Sequence, residues 1–281
     1  SKRKIAGLAL SEGGVSSHVV ILARNYGIPT VVGLEEISKK VRNGETVIID
    51  GKTAEILVSP DRETIEEYKG KIREEYQRKL SLRSFLNKPA ETKDGTRFKL
   101  YANIGTPEEA EVALAEGADG IGLFRTEFLY MAQSSASLNA AARSFSEQTQ
   151  FEAYKSVLQI MGNKPVTIRT LDAGGDKLIN SVDLPNIEEK NPLMGLRAVR
   201  LSLEYPNILK TQLRALFRAS VYGNLEIMFP LITSVDQVKE CLELVNVVKQ
   251  ELDAEKIPYQ ADTPVGIMIE TAAAALISDC L

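Results

Sequence analysis

Hydrophobic and polar positions follow three successive patterns along this chain of 281 residues. In the first pattern, short apolar runs alternate with glycine-containing turns, which predicts a small α/β lobe that ends near Pro60. The turn Asp50-Gly51-Lys52 separates two apolar runs and predicts a β-hairpin. The predicted elements are strands over 5–10, 28–33, 46–50 and 54–58 and helices over 19–26 and 34–42.

The second pattern begins at Asp61, where glutamate, lysine, arginine, glutamine and tyrosine become frequent. Apolar residues recur every three or four positions up to Leu86, which predicts an amphipathic helix of several turns. The sequence Asn87-Lys88-Pro89 ends this helix, and we interpret residues 61–96 as a helical linker between two domains.

The third pattern occupies residues 97–281 and alternates predicted strands with predicted helices. Such alternation indicates a parallel sheet with right-handed crossovers. Only five strands are predicted, whereas a (β/α)₈ barrel requires eight βα units, so we expect a truncated barrel. Residues 132–146, rich in alanine and serine, are expected to form a loop. The predicted strands are 98–104, 120–124, 165–172, 225–229 and 265–270, and the predicted helices are 108–116, 148–161, 192–203, 208–221 and 234–252.

Composition narrows the class of protein. Apolar residues make up 44% of the chain and charged residues 26%, with a net charge of −4, which argues against general affinity for nucleic acid or membranes. No apolar run approaches the roughly 20 residues that span a bilayer, so we expect a cytoplasmic protein. The two cysteines, Cys241 and Cys280, are expected to be thiols.

The single histidine, His18, follows the loop Gly13-Gly14-Val15-Ser16-Ser17 and precedes an apolar helical run. Imidazole is neutral and nucleophilic near physiological pH, so it can accept a chemical group and pass it on. Ser16 or Ser17 can cap the helix, and the first N–H groups of a capped helix favour an anion. This setting suits a phosphoryl group on the imidazole, and a histidine that merely packs at a helix end is the alternative.

The run Gly-Gly-x-Ser-Ser-His, followed by Ile-Leu-Ala-Arg and Gly-Ile-Pro-Thr-Val-Val-Gly, resembles the phosphohistidine motif of the phosphoenolpyruvate-utilising enzymes. In that family a swivelling domain carries the phosphohistidine, and a TIM barrel binds phosphoenolpyruvate. The resemblance implies a phosphohistidine domain over residues 1–60, a linker over 61–96 and a partial TIM (β/α)₈ barrel over 97–281.

A second group of candidates lies where the predicted strands end, because the reactive groups of a βα barrel gather at the C-terminal ends of its strands. Arginine and lysine bind phosphate and carboxylate, and glutamate offers a hard oxygen ligand to Mg²⁺. Each of these residues alone is typical of an ordinary salt bridge. Their shared position predicts a site for a small phosphate ester with a divalent metal. They are Arg125, Arg169, Asp172, Lys177 and Glu270.

Five motifs in this part of the chain resemble the Enzyme I branch of the family, the phosphoenolpyruvate-protein phosphotransferases. They begin at Phe124, Ile168, Asn191, Ile227 and Gly266. The resemblance implies that His18 is phosphorylated from phosphoenolpyruvate and passes the phosphoryl group to the carrier protein HPr in sugar transport. It also implies that Glu270 binds Mg²⁺ and that the barrel forms a homodimer. The residues implied to contact phosphoenolpyruvate are Arg125, Arg169, Arg197 and Lys177.

Two alternatives stay open. A phosphoenolpyruvate synthase or pyruvate phosphate dikinase carries a similar phosphohistidine motif and would require ATP. A piece that accepts a phosphoryl group or binds partners, without turning over substrate, is the other alternative. The sequence also departs from the family pattern, because Ser16 stands where threonine is more usual and Ala272 stands where proline is expected. We expect a truncated chain to be inactive on its own.

Overall fold

The computed structural model of this chain describes residues 5–12, 14, 19–20, 23, 27–86, 88–129, 146–174 and 195–281. The candidates His18 and Lys177, and all but the last residue of the predicted loop 132–146, lie outside these ranges. The chain divides into two compact units, Ser1–Phe85 and Leu86–Leu281. Within the described ranges, no helix combines the length and the apolar character that crossing a membrane requires.

The first unit contains the predicted hairpin. Strand β3 (Val47–Asp50) pairs antiparallel with β4 (Glu55–Val58), which confirms the hairpin around Asp50-Gly51-Lys52. The Asp50 carboxylate accepts hydrogen bonds from the backbone N–H groups of Lys52 (2.8 Å) and Thr53 (3.3 Å), and this Asx turn sets the register. The same two hydrogen bonds, the one from Lys52 first, lower the pKa of Asp50.

The other elements of this unit are shorter than the apolar runs predict. Strand β1 (Leu8–Ala9) pairs in parallel with β2 (Thr30–Val31), and α1 covers only Ile37–Lys40. The predicted helix 34–42 begins only at Ile37, because the preceding Glu36 has a left-handed backbone with a φ of 55°. It ends before Val41, whose backbone is extended.

The predicted amphipathic helix forms as α2 (Arg62–Arg83). Its N-cap is Asp61, whose side chain accepts a hydrogen bond from the backbone N–H of Thr64 at 2.8 Å. Glu75 joins this helix to the hairpin through an ion pair with Lys52 (3.1 Å). No residue of α2 is fully buried, in keeping with its polar composition.

The second unit is built on a five-stranded parallel sheet with the strand order β11-β10-β9-β8-β7, so strands that are consecutive in sequence are neighbours. This confirms the predicted α/β class and the parallel sheet. The strands are β7 (Tyr101–Ile104), β8 (Gly120–Arg125), β9 (Pro165–Arg169), β10 (Asn224–Phe229) and β11 (Val265–Ile267).

Helices follow the strands and bury their apolar faces against the sheet and against one another. Ser146 and Ser234 cap two of them by accepting hydrogen bonds from Thr149 N–H (3.2 Å) and Gln237 N–H (3.3 Å). The helices are α3 (Pro107–Ala115), α4 (Glu147–Met161), α5 (Ala198–Glu204), α6 (Pro206–Ala219), α7 (Val235–Ala254) and α8 (Ala272–Leu276), with a 3₁₀ turn at Ser220–Tyr222.

The prediction of one strand over 98–104 is wrong. A short hairpin, β5 (Ala90–Glu91) and β6 (Arg97–Phe98), precedes the sheet, and β7 begins only at Tyr101. The break falls at Leu100, whose N–H donates to the carboxylate of Asp119 (2.8 Å) while its carbonyl accepts from the Asp119 N–H (2.8 Å). A side chain thus takes the hydrogen bond that continued pairing would have used.

The predicted helix 192–203 begins later than expected, at Ala198, and its first residues lie outside the described ranges. Arg197 has an extended backbone and forms an isolated antiparallel bridge with Gly174, so it cannot belong to the helix. Ala198 then adopts a positive φ of 49° as the chain turns into α5. This turn places Arg197 beside the end of β9.

Candidate functional site

Two of the predicted arginines end neighbouring strands. Arg125 is the last residue of β8 and Arg169 the last of β9, and they are direct partners in the parallel register. Their side chains therefore start from the same edge of the sheet. This edge is formed by the C-terminal ends of parallel strands, where ligand sites of α/β folds usually lie.

Arg169 is held by two carboxylates. Its Nη2 atom pairs with Glu127, and its Nη1 atom lies 3.0 Å from Asp172 Oδ2. The side chain of Arg169 is only 10% exposed, and those of Glu127 and Asp172 are 13% and 15% exposed. The guanidinium also contacts the sulfur of Met268, 3.7 Å from Nη1, just beyond β11. These contacts fix Arg169 near the centre of the strand-end edge.

Arg197 joins the same cluster from the following segment. Its Nη2 atom lies 3.0 Å from Asp172 Oδ1, so Asp172 binds one arginine with each carboxylate oxygen. The backbone bridge between Arg197 and Gly174 holds this residue from the other side. The structure thus brings Arg169 and Arg197 together through the carboxylate of Asp172.

Arg125 is positioned by an aromatic ring. Its Cζ atom lies 5.2 Å from the centre of the Phe128 ring, within the range of a cation–π contact. Phe128 in turn packs over Gly105, at the end of β7, where a Cβ atom would come within 2.7 Å of Phe128 Cδ2. Gly105 is therefore required for this packing, and through Phe128 it sets the place of Arg125.

The buried polar atoms of this cluster are not all satisfied. Buried polar groups in native proteins almost always have hydrogen-bond partners. Among the described residues, the buried side-chain atoms without one are Arg125 Nε, Glu127 Oε2, Arg169 Nε and Arg197 Nε. All four belong to the strand-end cluster, which indicates a site that a ligand completes.

The charges favour an anionic ligand. Three guanidinium groups face two carboxylates, those of Glu127 and Asp172, so the cluster carries an excess of positive charge. Burial raises the pKa of Glu127 above the usual glutamate range, although the charge of Arg169 opposes this shift.

Glu270, the predicted Mg²⁺ ligand, lies beyond the end of β11, two strands away from β9. Its Oε1 atom accepts a hydrogen bond from the backbone N–H of Leu231 at 2.7 Å. Leu231 follows β10 and has a positive φ of 57°, which is unusual for leucine. Glu270 therefore stabilises a strained turn at the same edge of the sheet.

The donor set for a metal ion is small. Across the part of the chain that the structure describes, no group of three or more histidine, cysteine, aspartate or glutamate residues is placed to hold a metal. Mg²⁺ is usually held by one or two carboxylates together with substrate phosphates and water. The exposed carboxylate of Glu270 fits one ligand of such a site, with the substrate supplying others.

Sequence reasoning missed three contributors to the site. Glu127 and Phe128 belong to the motif that begins at Phe124, in which only Arg125 was predicted to bind substrate. Gly105 follows a strand, and nothing in the neighbouring sequence predicts a role for it. Glu127 lies in a helical turn that begins directly after β8, so the alternation of a strand gives no signal for it.

Two family models match this chain. The family described as PEP-utilising enzyme, PEP-binding domain, matches residues 79–281, and the one described as PEP-utilising enzyme, mobile domain, matches residues 1–54. The chain belongs to the phosphoenolpyruvate-utilising enzymes.

Curated relatives share one name, phosphoenolpyruvate-protein phosphotransferase. The protein of Priestia megaterium is 40% identical over 279 residues, which cover 99% of this chain and 47% of the relative. That of Geobacillus stearothermophilus is 41% identical over 279 residues, covering 99% and 46%. That of Bacillus subtilis is 41% identical over 275 residues, covering 98% and 46%. This chain spans about half the length of the curated relatives it matches.

Proposed function

We propose that this chain contains the phosphohistidine segment and the phosphoenolpyruvate-binding part of a phosphoenolpyruvate-protein phosphotransferase. One observation carries the proposal: the buried polar atoms without partners gather in a cluster of three arginines at the C-terminal edge of a parallel sheet. Phosphoenolpyruvate offers this cluster a phosphate and a carboxylate, and both are anions that guanidinium groups bind through paired hydrogen bonds.

In this proposal Arg125, Arg169 and Arg197 bind the two anionic ends of the substrate, with Lys177 as a further contact. Binding at fixed guanidiniums holds the phosphoryl group in one orientation and offsets the charge that develops as it moves. The free Nε–H groups of the arginines are the donors that the substrate would satisfy.

The proposed transfer takes place at His18. The bond between phosphorus and the bridging oxygen of phosphoenolpyruvate breaks as a bond forms from phosphorus to an imidazole nitrogen. The bridging electron pair stays on the enolate oxygen, and a proton added to the methylene carbon yields pyruvate. The imidazole of His18 then passes the phosphoryl group to a histidine of HPr, the carrier that supplies sugar transport.

We also propose that the Glu270 carboxylate holds Mg²⁺ together with oxygens of the substrate. The ion, when bound, would neutralise charge on the phosphoryl oxygens. The proposal assigns to Glu270 a second task, which is to hold the backbone of Leu231 through its other oxygen. Replacing Glu270 would therefore alter both metal binding and the turn after β10.

The proposed architecture has three parts. Residues 1–60 form a swivelling phosphohistidine domain, residues 61–96 a helical linker, and residues 97–281 about five of the eight βα units of a TIM barrel. The consecutive order of five parallel strands supports a barrel, since neighbouring βα units of a barrel follow the sequence. We further propose a cytoplasmic protein that forms a homodimer through the completed barrel.

Mass spectrometry of the intact protein tests the proposed transfer. The chain is incubated with phosphoenolpyruvate and Mg²⁺ beside a His18→Ala variant, and a parallel sample receives ATP in place of phosphoenolpyruvate. The proposed function predicts one acid-labile phosphoryl group with phosphoenolpyruvate once the site is complete, none in the variant and none with ATP. Labelling that depends on ATP would instead indicate a synthase or dikinase.

The same assay on a protein extended to the length of its relatives separates an incomplete site from a wrong proposal. If the 281-residue chain gains no mass and the extended protein does, the added residues are needed for transfer. Absence of label in both, or label that survives in the His18→Ala variant, contradicts the proposal.

A further inference from the structure

Helix α6 carries a buried polar residue on the face that covers the sheet. Gln212 is 1% exposed, and buried apolar residues of the same helix, Leu209, Leu213 and Leu216, surround it in sequence. Burying an amide costs free energy unless its donors and acceptor are all satisfied. A glutamine at such a position therefore needs partners, and those partners indicate what it does.

Two of the hydrogen-bond partners of Gln212 belong to the strand-end segments. The side-chain oxygen of Gln212 accepts a hydrogen bond from the backbone N–H of Leu171 (2.9 Å). Its Nε2 atom donates to Thr126 Oγ1 (3.3 Å) and to the hydroxyl of Tyr154 (3.0 Å). The amide thus uses its acceptor and both of its donors in fixed directions.

Thr126 extends the connection by donating its own hydroxyl hydrogen to the backbone carbonyl of Arg169 (3.1 Å). Gln212 therefore reaches the chain beyond β9 directly, through Leu171, and the end of β9 indirectly, through Thr126. Because both segments are tied to one amide, their relative position is fixed by α6 as well as by the sheet.

The two tied residues are placed between the residues that form the site. Thr126 separates Arg125 from Glu127, and Leu171 directly precedes Asp172. Side chains of successive residues in an extended chain point to opposite sides. Holding Thr126 and Leu171 from the helix side therefore fixes where the neighbouring charged side chains emerge on the other side.

We propose that Gln212 is a positioning residue for the anion site: from the helix layer it clamps the two segments that carry Arg125, Glu127, Arg169 and Asp172. This inference deepens the proposed function and rests on it for the identity of the anion. Gln212 itself touches no substrate in this proposal, and it acts through the backbone of Leu171 and the hydroxyl of Thr126.

The same network contains a matched control. Gln150, on α4, is also 1% exposed, and its side-chain oxygen accepts from the hydroxyl of Tyr154 (3.0 Å). Gln150→Met and Gln212→Met are therefore the same change at equally buried positions of one network. Gln212 contacts the strand-end segments through Leu171 and Thr126, whereas the side-chain oxygen of Gln150 binds Tyr154 one turn along its own helix. A purely structural role predicts similar behaviour of the two variants, and a positioning role predicts a difference.

The test uses the ¹⁵N-labelled 281-residue chain and two measurements. The first is the position and linewidth of the arginine Nε–H signals in NMR spectra without ligand. The second is the affinity for phosphoenolpyruvate with Mg²⁺ by calorimetry. In Gln212→Met we expect displaced Nε–H signals of Arg125 and Arg169 and an affinity loss on the order of tenfold. In Gln150→Met we expect unchanged signals and an affinity within about twofold of the parent.

A second pair of variants guards against failure of Gln212→Met to fold. Thr126→Val removes the hydroxyl that links Gln212 to Arg169, and Thr126→Ser keeps it. We expect the valine variant to behave as Gln212→Met does and the serine variant to recover the parent's signals and affinity. A serine variant as weak as the valine variant would show that shape, and not the hydrogen bond, matters at this position.

The outcomes separate the two proposals. Equal effects of Gln212→Met and Gln150→Met on the arginine signals overturn the positioning role, whatever the affinity shows. If the parent chain binds no phosphoenolpyruvate, the proposed ligand is wrong. Arginine signals that are displaced in Gln212→Met but not in Gln150→Met would then still support a positioning role for the site of another anion.

Discussion

Asp172 binds Arg197 across 25 positions of sequence, with Oδ1 lying 3.0 Å from Arg197 Nη2. The second oxygen of the same carboxylate lies 3.0 Å from Arg169 Nη1. One aspartate therefore sets the distance between two of the arginines that we assign to the substrate. It also compensates their positive charges when no substrate is bound.

Asp172→Asn should lower the free energy of unfolding, because it leaves two largely buried guanidiniums facing a neutral amide. We expect a loss of about 2–3 kcal/mol, measured by urea denaturation at pH 7. Asp236→Asn is the matched control, since Asp236 pairs with Lys239 at 3.3 Å on the surface and both side chains are more than half exposed. That control should change stability by less than about 0.5 kcal/mol. Equal losses in the two variants would mean that the Asp172 pairs add nothing beyond a surface contact.

Gly105→Ala should weaken the anion site without adding or removing a charge. The new Cβ atom would come within 2.7 Å of Phe128 Cδ2, so the ring must move, and Arg125 loses its aromatic support. We expect the affinity for phosphoenolpyruvate to fall on the order of tenfold, measured by calorimetry. Gly70→Ala, in the middle of α2 with open space around the glycine, is the control.

The control change should leave the affinity unchanged and stabilise the helix by about 1 kcal/mol, since alanine is the better helix former. Unchanged affinity in Gly105→Ala would show that Phe128 does not set the place of Arg125.

Glu127 should make stability depend on pH in a defined direction. Its pKa in the folded protein is raised by burial, so the folded state holds the proton more tightly than the unfolded state does. Binding of this proton contributes its full stabilisation below the ordinary glutamate pKa. The contribution is lost as the pH rises through the raised pKa of Glu127 in the folded protein. Relative to the parent, Glu127→Gln should therefore gain stability as the pH is raised across this window.

Urea denaturation at several pH values checks this prediction, and Glu75→Gln supplies the opposite case. Hydrogen bonds from Arg78 and Lys52 lower the pKa of Glu75 to about 2. Stability linked to Glu75 is therefore present above the ordinary glutamate pKa and is lost as the pH falls towards 2. Relative to the parent, Glu75→Gln should lose stability as the pH rises. Parallel trends in the two variants would contradict the assignment for Glu127.

The two cysteines should differ sharply in reactivity. Cys280 is exposed, whereas Cys241 is buried on α7, and burial raises the pKa of its thiol to about 12. Because the thiolate is the reactive form, a thiol reagent at pH 8 should modify one cysteine in the folded chain and both in urea. Cys280→Ser should abolish the native reaction. Rapid modification of that variant under native conditions would show that α7 opens readily.

Local signals in the sequence were sufficient for much of the fold. The Asp50-Gly51-Lys52 turn contains its own hydrogen-bonding side chain, and the helix after Asp61 was predicted from the spacing of its apolar residues. The parallel strands were predicted because each is a short apolar run followed by a helical period. Interactions of this kind act within a few residues of the chain.

Contacts between distant residues escaped prediction. Asp119 interrupts the predicted strand 98–104 by capturing the Leu100 N–H from 19 positions away. Gln212 takes the Leu171 N–H from a distance of 41 positions, and β9 therefore ends before the predicted residue 172. For the site, the motifs indicated the arginines and Asp172, but Glu127 became evident only from the geometry.

The most direct test of the central claim is calorimetric titration of phosphoenolpyruvate, with Mg²⁺, into the parent chain and the Arg125→Met variant. Arg125 is stacked on Phe128, and its Nε–H lacks a partner, so its loss should leave the remaining ion pairs intact. Arg97→Met is the control, because Arg97 lies on the surface, 74% exposed, and pairs with Glu91.

We predict one bound phosphoenolpyruvate per parent chain, the same affinity in Arg97→Met and a loss of at least about tenfold in Arg125→Met, as expected for a charged hydrogen bond. Equal affinities of the parent and Arg125→Met, or no binding by the parent, would contradict the assignment of the strand-end arginines to phosphoenolpyruvate.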